Sequence, residues 1–212
     1  MGQKLNYQKE LEEVILSVKA ERPSLLLHAC CAPCSSYVIE YLSSFFGITL
    51  FYYNPNIYPQ EEYFRRLAEL KNFLPDFPPA LQNKVKLVEQ NYDPQDFYDS
   101  IKIKQEPHLA LEAEKGERCR RCYEFRMKKA YNYACENDFD YFCTTLSISP
   151  FKDSKKINIL GKEICVKNTK WLPSDFKKKG GFKRSLELSK EYDLYRQQYC
   201  GCIYSKNNKN NV

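Results

Sequence analysis

The sequence predicts an α/β domain on a mostly parallel, Rossmann-like sheet with a small irregular or helical C-terminal part. Apolar runs the length of buried strands alternate with amphipathic stretches of helical period, the pattern of a parallel sheet with crossover helices. The 212 residues are 43% hydrophobic and 28% charged, enough apolar material for one core. Residues 1–212 are therefore read as a single domain, with an N-terminal helix within 1–22 and a flexible tail at 206–212.

Residues 6–20 have helical periodicity, and Arg22-Pro23 ends that helix. Ser24 to Ala29 is a strand-length apolar run leading into Cys30-Cys31-Ala32-Pro33-Cys34, after which a helix extends to about Phe46 and is capped by Gly47. Residues 48–54 form a second strand, Pro55 and Pro59 bracket a loop, and residues 60–74 read as a helix. Residues 84–89 are a third strand, and Asp93-Pro94 supplies an N-cap and a first helical position. A helix is expected from Cys119 to about Asn137, a strand from Phe139 to Ser147, and helices near 153–162 and 185–197. There is no internal repeat. In such sheets ligands bind beyond the carboxyl ends of the strands, where the Cys30–Cys34 loop falls.

The 17 Tyr, 13 Phe and one Trp exclude a disordered chain, and no apolar run approaches the roughly 18 residues of a membrane span. Charges at Lys4, Lys9, Glu10, Glu12 and Glu13 do not suit a secretory signal, and Asn6 breaks the myristoylation pattern that Gly2 opens. A cytoplasmic protein is expected, with nothing demanding more than a monomer. Ten cysteines are then reduced thiols for metal, cluster or redox chemistry rather than staples. They cluster at 30, 31 and 34, at 119 and 122, and at 200 and 202.

Two CxxC segments far apart in sequence suit one ion or cluster. Adjacent cysteines are awkward for mononuclear zinc, whereas an iron–sulfur cube offers several corners, so iron–sulfur is favoured and zinc stays open. A helix N-terminus at Ser35 and Ser36, and the arginines around Cys119 and Cys122, are expected to stabilise anionic sulfur and depress thiol pKa values. Cys200-Gly201-Cys202 would make a strained, readily reduced disulfide, suiting redox cycling or metal binding. Cys135, Cys143 and Cys165 read as core residues and His28 as a satisfied near-core histidine. Asp153 and Asp175 are ordinary caps or surface groups, either able to complete an iron site. Net charge is +6, and the basic groups at 118–129 and at Lys177, Lys178, Lys179, Lys183 and Arg184 suit a phosphate backbone as well as solvated helix faces.

The segments LLLHACCAPCSSYV, YNPNIYPQEEYFRRL, CRRCYEFRM, FDYFCTTLSISPFK and LYRQQYCGCIYS, in that order, resemble the QueH family of cobalamin-independent epoxyqueuosine reductases over residues 24–205. Tyr58 stands where the family often has histidine. The resemblance implies an adenine-nucleotide α-hydrolase-like (PP-loop) fold whose phosphate loop is replaced by cysteines. It also implies removal of the epoxide oxygen from epoxyqueuosine at the tRNA anticodon wobble position, with an external electron donor. It implies a 4Fe–4S cluster on Cys30, Cys31, Cys119 and Cys122, with an additional mononuclear iron at Cys34 and, as a further candidate, Asp175. Cys200 and Cys202 would be a redox-active pair, and the 177–184 basic group would meet the tRNA. A PP-loop sulfur-transfer enzyme and a zinc-binding RNA module are the rival readings; residues 24–36 contain no glycine for the former's phosphate loop.

Overall fold

The computed structural model describes residues 5–18 and 20–209. The expectations at Gly2 and Lys4, and the last three residues of the expected tail, lie outside that range. Helix α1 (Tyr7–Val18) precedes β1 (Ser24–Ala29), α2 (Ala32–Leu42), β2 (Gly47–Tyr52), α3 (Gln60–Asp76), α4 (Pro78–Gln82) and β3 (Lys86–Glu89). Then follow α5 (Pro94–Ile101), a 3-10 turn at Pro107–Leu111, α6 (Glu117–Glu136), β4 (Tyr141–Thr144) and a 3-10 turn at Thr145–Ile148. The chain continues with α7 (Ser154–Ile164), β5 (Lys170–Trp171), α8 (Gly181–Glu191) and α9 (Ile203–Lys209).

The five strands lie in the order β3-β2-β1-β4-β5, every pairing parallel. The chain starts at the centre, moves outward through β2 and β3, then crosses to the other side of β1. That reversal opens a crevice at the carboxyl ends of β1 and β4. Leu25, Leu26 and Leu27 are all fully buried, so helices cover both faces of the sheet centre. Each such leucine contributes about 1.5–3 kcal/mol by burial. On one side α2 packs against α3 and α8; α6 packs against α7, β1 and β4.

Several boundaries differ from the sequence reading. Gly47 does not cap α2, which closes at Ser43; Gly47 opens β2 and its N–H donates to Pro23 O at 2.9 Å. The fourth strand stops at Thr144, because that hydroxyl accepts the Leu146 N–H at 3.2 Å and turns the chain into the 3-10 segment. The helix expected at 185–197 spans Gly181–Glu191. Gly181 permits the early start, since a Cβ there would lie 2.0 Å from Phe176 O and 2.4 Å from the Tyr37 ring. The expected flexible tail from residue 206 is helical through Lys209. Helix α4 and the two-residue β5 have no counterpart in the sequence pattern. Among the described residues no helix is long and apolar enough to cross a membrane.

Candidate metal and redox site

β1 ends at Ala29 and delivers Cys30 and Cys31 to the crevice; Cys31 occupies the N-cap position of α2 and Cys34 lies in its first turn. The carbonyl of Cys31 accepts the Ser35 N–H at 3.2 Å and the Ser35 hydroxyl at 2.8 Å, fixing the turn. This brings the sulfurs of Cys30, Cys31 and Cys34 within 4.8 Å of one another. Cys31 is fully buried and its Sγ accepts a hydrogen bond from Gln197 Nε2 at 2.9 Å. Hydrogen bonds from Cys31 and Cys34, reinforced by Arg126, hold the Cys30 thiol well below the ordinary cysteine range. Burial and the Cys30 sulfur push Cys31 up to about 12, and the Cys30 and Cys31 sulfurs push Cys34 up as well. The trio thus favours one thiolate shared by three sulfurs.

Cys119 and Cys122 stand one turn apart on α6 and outside that group of three. Their pKa values are not depressed as the sequence suggested: burial raises Cys119, and raises Cys122 to about 11. The surrounding arginines are occupied elsewhere. Arg120 pairs with Glu117 at 2.7 Å and Glu124 at 2.8 Å, Arg121 with Glu106 at 2.7 Å and Glu117 at 2.9 Å, and Arg118 donates to the carbonyl of Leu109. Arg118 is buried against the turn at Leu109, whereas Arg126 faces the sulfurs. Arg126 is 2% exposed, donates to Asn54 Oδ1 at 3.0 Å, and its Nη2 has no hydrogen-bond partner among the described residues. Burial works against its charge, but the sulfurs of Cys122, Cys200 and Cys30 outweigh that cost.

The third sulfur group lies in the segment between α8 and α9. Gly201 sits at φ +120° with its would-be Cβ 3.0 Å from Ile57 and 3.2 Å from Arg66, so a side chain there is strained and crowded. The turn is pinned by the Tyr58 N–H on Gly201 O at 2.7 Å and by Arg66, 1% exposed, whose Nη1 reaches Cys200 O at 3.4 Å. Lys152 Nζ donates to Cys200 Sγ at 2.7 Å. A hydrogen bond from Cys202, then Lys152, holds the Cys200 thiol well below its ordinary value, and Cys200 in turn pushes Cys202 up. Cys202 packs beside Cys122 with Phe97 and Ile101 of α5.

The first and third groups border a cavity of about 350 Å³, with Cys30, Cys34 and Cys200 on its wall beside Lys152, Glu114 and Phe151, while Cys119 and Cys122 are not on that wall. Asp175 is not on that wall; its carboxylate is 2.5 Å from Lys177 Nζ. Asp153 caps α7 through the Lys155 and Lys156 N–H groups. His28 is buried between Thr144 Oγ1 at 2.8 Å and Tyr53 O at 3.2 Å, and burial pushes it down to about 3. Cys143 is core, bonded to Leu172 O, while Cys135 and Cys165 pack half-buried against the same core. Of the basic residues at 177–184, Lys177, Lys179, Lys183 and Arg184 pair with Asp175, Glu12, Glu187 and Glu40 respectively. Sequence reasoning gives no role to Lys152, Arg66, Gln197 or Glu114. Lys152 follows the visible Ser149-Pro150 turn and Arg66 stands four residues after Glu62, but neither pattern signals a sulfur contact.

An all-parallel α/β domain with a thiol-walled cavity at its topological reversal is the class that fold and site define. A family model described as Epoxyqueuosine reductase QueH matches residues 25–208, and the chain belongs to that family. It is 43% identical to the epoxyqueuosine reductase QueH of Streptococcus pyogenes serotype M1 over 96% of this chain and 79% of that protein. The Staphylococcus epidermidis QueH is 40% identical over 96% of this chain and 86% of its own, and the Thermotoga maritima QueH 31% identical over 86% and 90%.

Proposed function

We propose that this chain is an epoxyqueuosine reductase, an oxidoreductase that removes the epoxide oxygen of epoxyqueuosine in tRNA. The observation that carries the reading is the meeting of three thiol groups around the buried, incompletely bonded Arg126. A buried guanidinium with a free N–H beside several sulfurs suits an anionic metal–sulfur group. The thiolate donor set also fits iron–sulfur, since His28 is committed to Thr144 and Tyr53. Cys30, Cys31, Cys119 and Cys122 would hold a 4Fe–4S cluster, and Cys34, on the cavity wall, the adjoining iron. Asp175, bonded to Lys177, is not included. The bound iron–sulfur group would supply electrons one at a time and a Lewis-acidic position for the epoxide oxygen.

The protein's own residues supply the rest. The cavity takes the modified base out of the single-stranded anticodon loop. Cys200 and Cys202 as a dithiol lose two electrons and two protons and become a disulfide. The epoxide gains both electrons and both protons, its C–O bonds break, and an alkene and water result. An external thiol or electron donor then restores the dithiol. Lys152 holds Cys200 as thiolate, and Arg66 holds the turn that carries it. The cysteine loop in place of a glycine-rich phosphate loop supports a PP-loop-like fold without nucleotide, and a tRNA substrate fits a cytoplasmic enzyme. Anaerobic reconstitution followed by assay on epoxyqueuosine-containing tRNA is the test. A brown protein with about four sulfides and more than four irons, converting the tRNA, is expected; a colourless zinc protein overturns the reading.

A further inference from the structure

We infer that Glu114 binds the protonated secondary amine that joins the cyclopentane ring of the substrate to its 7-deazaguanine, and so selects the modified wobble base over guanine. The inference rests on the activity proposed above and concerns how the same cavity tells its substrate from an unmodified tRNA.

Glu114 is the one acidic residue among those lining the cavity. Neither cation on that wall pairs with it: Lys152 donates to the Cys200 sulfur and Arg196 to Ser189 Oγ at 3.0 Å. Glu114 itself accepts one hydrogen bond, from Ser205 Oγ at 2.6 Å, and forms no ion pair among the described residues. An unneutralised carboxylate facing a cavity that receives a polyanion weakens binding of every tRNA alike, unless the substrate brings a cation. The neutral 7-deazaguanine brings none; the alkylamine of its substituent is protonated at neutral pH.

Position distinguishes the amine from the base edge. The amine nitrogen is bonded to the ring carbon next to the epoxide, so a residue that grips it stands beside the reducing groups. Glu114 stands there: Ser205 Oγ, which donates to Glu114, also accepts the Cys200 N–H at 3.1 Å. A carboxylate reading the Watson–Crick edge would sit on the far side of the bicyclic base, a full base width from Cys200. The cavity of about 350 Å³ is of the size class that encloses a small ligand, as a flipped base with its substituent requires.

The test compares two tRNAs identical except for epoxyqueuosine or guanine at the wobble position, binding each to iron-loaded protein. Wild type binds the modified tRNA more tightly. Glu114→Gln keeps the acceptor for Ser205 but loses the charge, and is expected to lose about tenfold to a hundredfold on the modified tRNA with no loss on the guanine tRNA. If Glu114→Gln discriminates as wild type does, Glu114 is not the amine's partner. A wild type that fails to reduce the modified tRNA overturns the activity and this inference together. A wild type that reduces it while Glu114→Gln still discriminates overturns this inference alone.

Discussion

Replacing Lys152 with methionine is expected to raise the pH at which Cys200 becomes nucleophilic by roughly one to two units. The Nζ–Sγ separation of 2.7 Å corresponds to a gross attraction of about 6 kcal/mol at an effective dielectric constant near 20. Desolvation of both groups offsets most of that, leaving the roughly 1.5–3 kcal/mol of a charge-assisted hydrogen bond, at about 1.4 kcal/mol per pKa unit. The Cys202 hydrogen bond, the larger cause of the depressed Cys200 pKa, remains in the variant, so the shift is partial. In metal-free, reduced protein the alkylation rate at Cys200, resolved by peptide mass spectrometry across roughly pH 5–10, brackets the ordinary cysteine value and gives the midpoint. Wild-type Cys200 is expected to react well below the pH at which an ordinary cysteine does, while Cys202 stays unreactive there. The linkage has two edges. The depressed Cys200 makes its contribution to stability above the ordinary cysteine pKa, and that contribution is lost as pH falls through the lowered value. The raised Lys152 makes its contribution below the ordinary lysine pKa, lost as pH rises through the higher one. An unchanged midpoint in Lys152→Met would refute the view that this lysine sets the charge on Cys200.

Phe151, 65% exposed at the cavity wall, is placed to stack on a base of the anticodon loop; Phe151→Ala should weaken tRNA binding by about 1–3 kcal/mol in a filter or fluorescence assay without altering iron content. Charge reversal across Lys177, Lys178, Lys179, Lys183 and Arg184 is expected to lower affinity and flatten the salt dependence, by about 0.7 in log–log slope for each phosphate that is no longer neutralised; identical slopes would exclude this face. Cys143→Ala removes a core thiol, so iron and sulfide counts should match wild type while Tm falls by about 2–4 °C for a destabilisation near 1 kcal/mol. Phe97→Ala opens a gap beneath Cys122 and Cys202 and should cost about 3–5 kcal/mol in denaturant titration.

The central strands and the placement of the first cysteine loop are readable in the sequence because each rests on local grammar. Ser24–Ala29 is a bounded apolar run, Asp93-Pro94 announces α5, and Cys119 and Cys122 share a helix face by spacing alone. The segment after α8 hides its boundary for a physical reason. Asp193 takes φ +48° and the Leu194 N–H closes back on Ser189 O at 2.8 Å, a helix-ending loop in which the customary glycine is absent. The two residues of β5 are too few to show a period. The arginines at 118–121 look like a field around the thiols; Glu117 and Glu124 stand at helical spacing from Arg120 and Arg121, but Glu106 and the carbonyl that takes Arg118 meet them only once the chain is folded. The same holds for Lys152, Glu114 and Gln197, which reach the cavity from segments with no repeating pattern.

All five strands end by Trp171, whereas Cys200 and Cys202 arrive after every one of them. During synthesis the sheet and the sulfurs at 30–34 and 119–122 can therefore be in place while the segment that walls the cavity at Arg196–Cys200 is still emerging. Until it emerges, the sulfurs at 30–34 lack the wall that Arg196–Cys200 provides. The late turn then closes over them, fastened by Arg66 to α3 and by Gly201 to Tyr58. Chain order thus places last, like a keystone, the turn that completes the cavity wall.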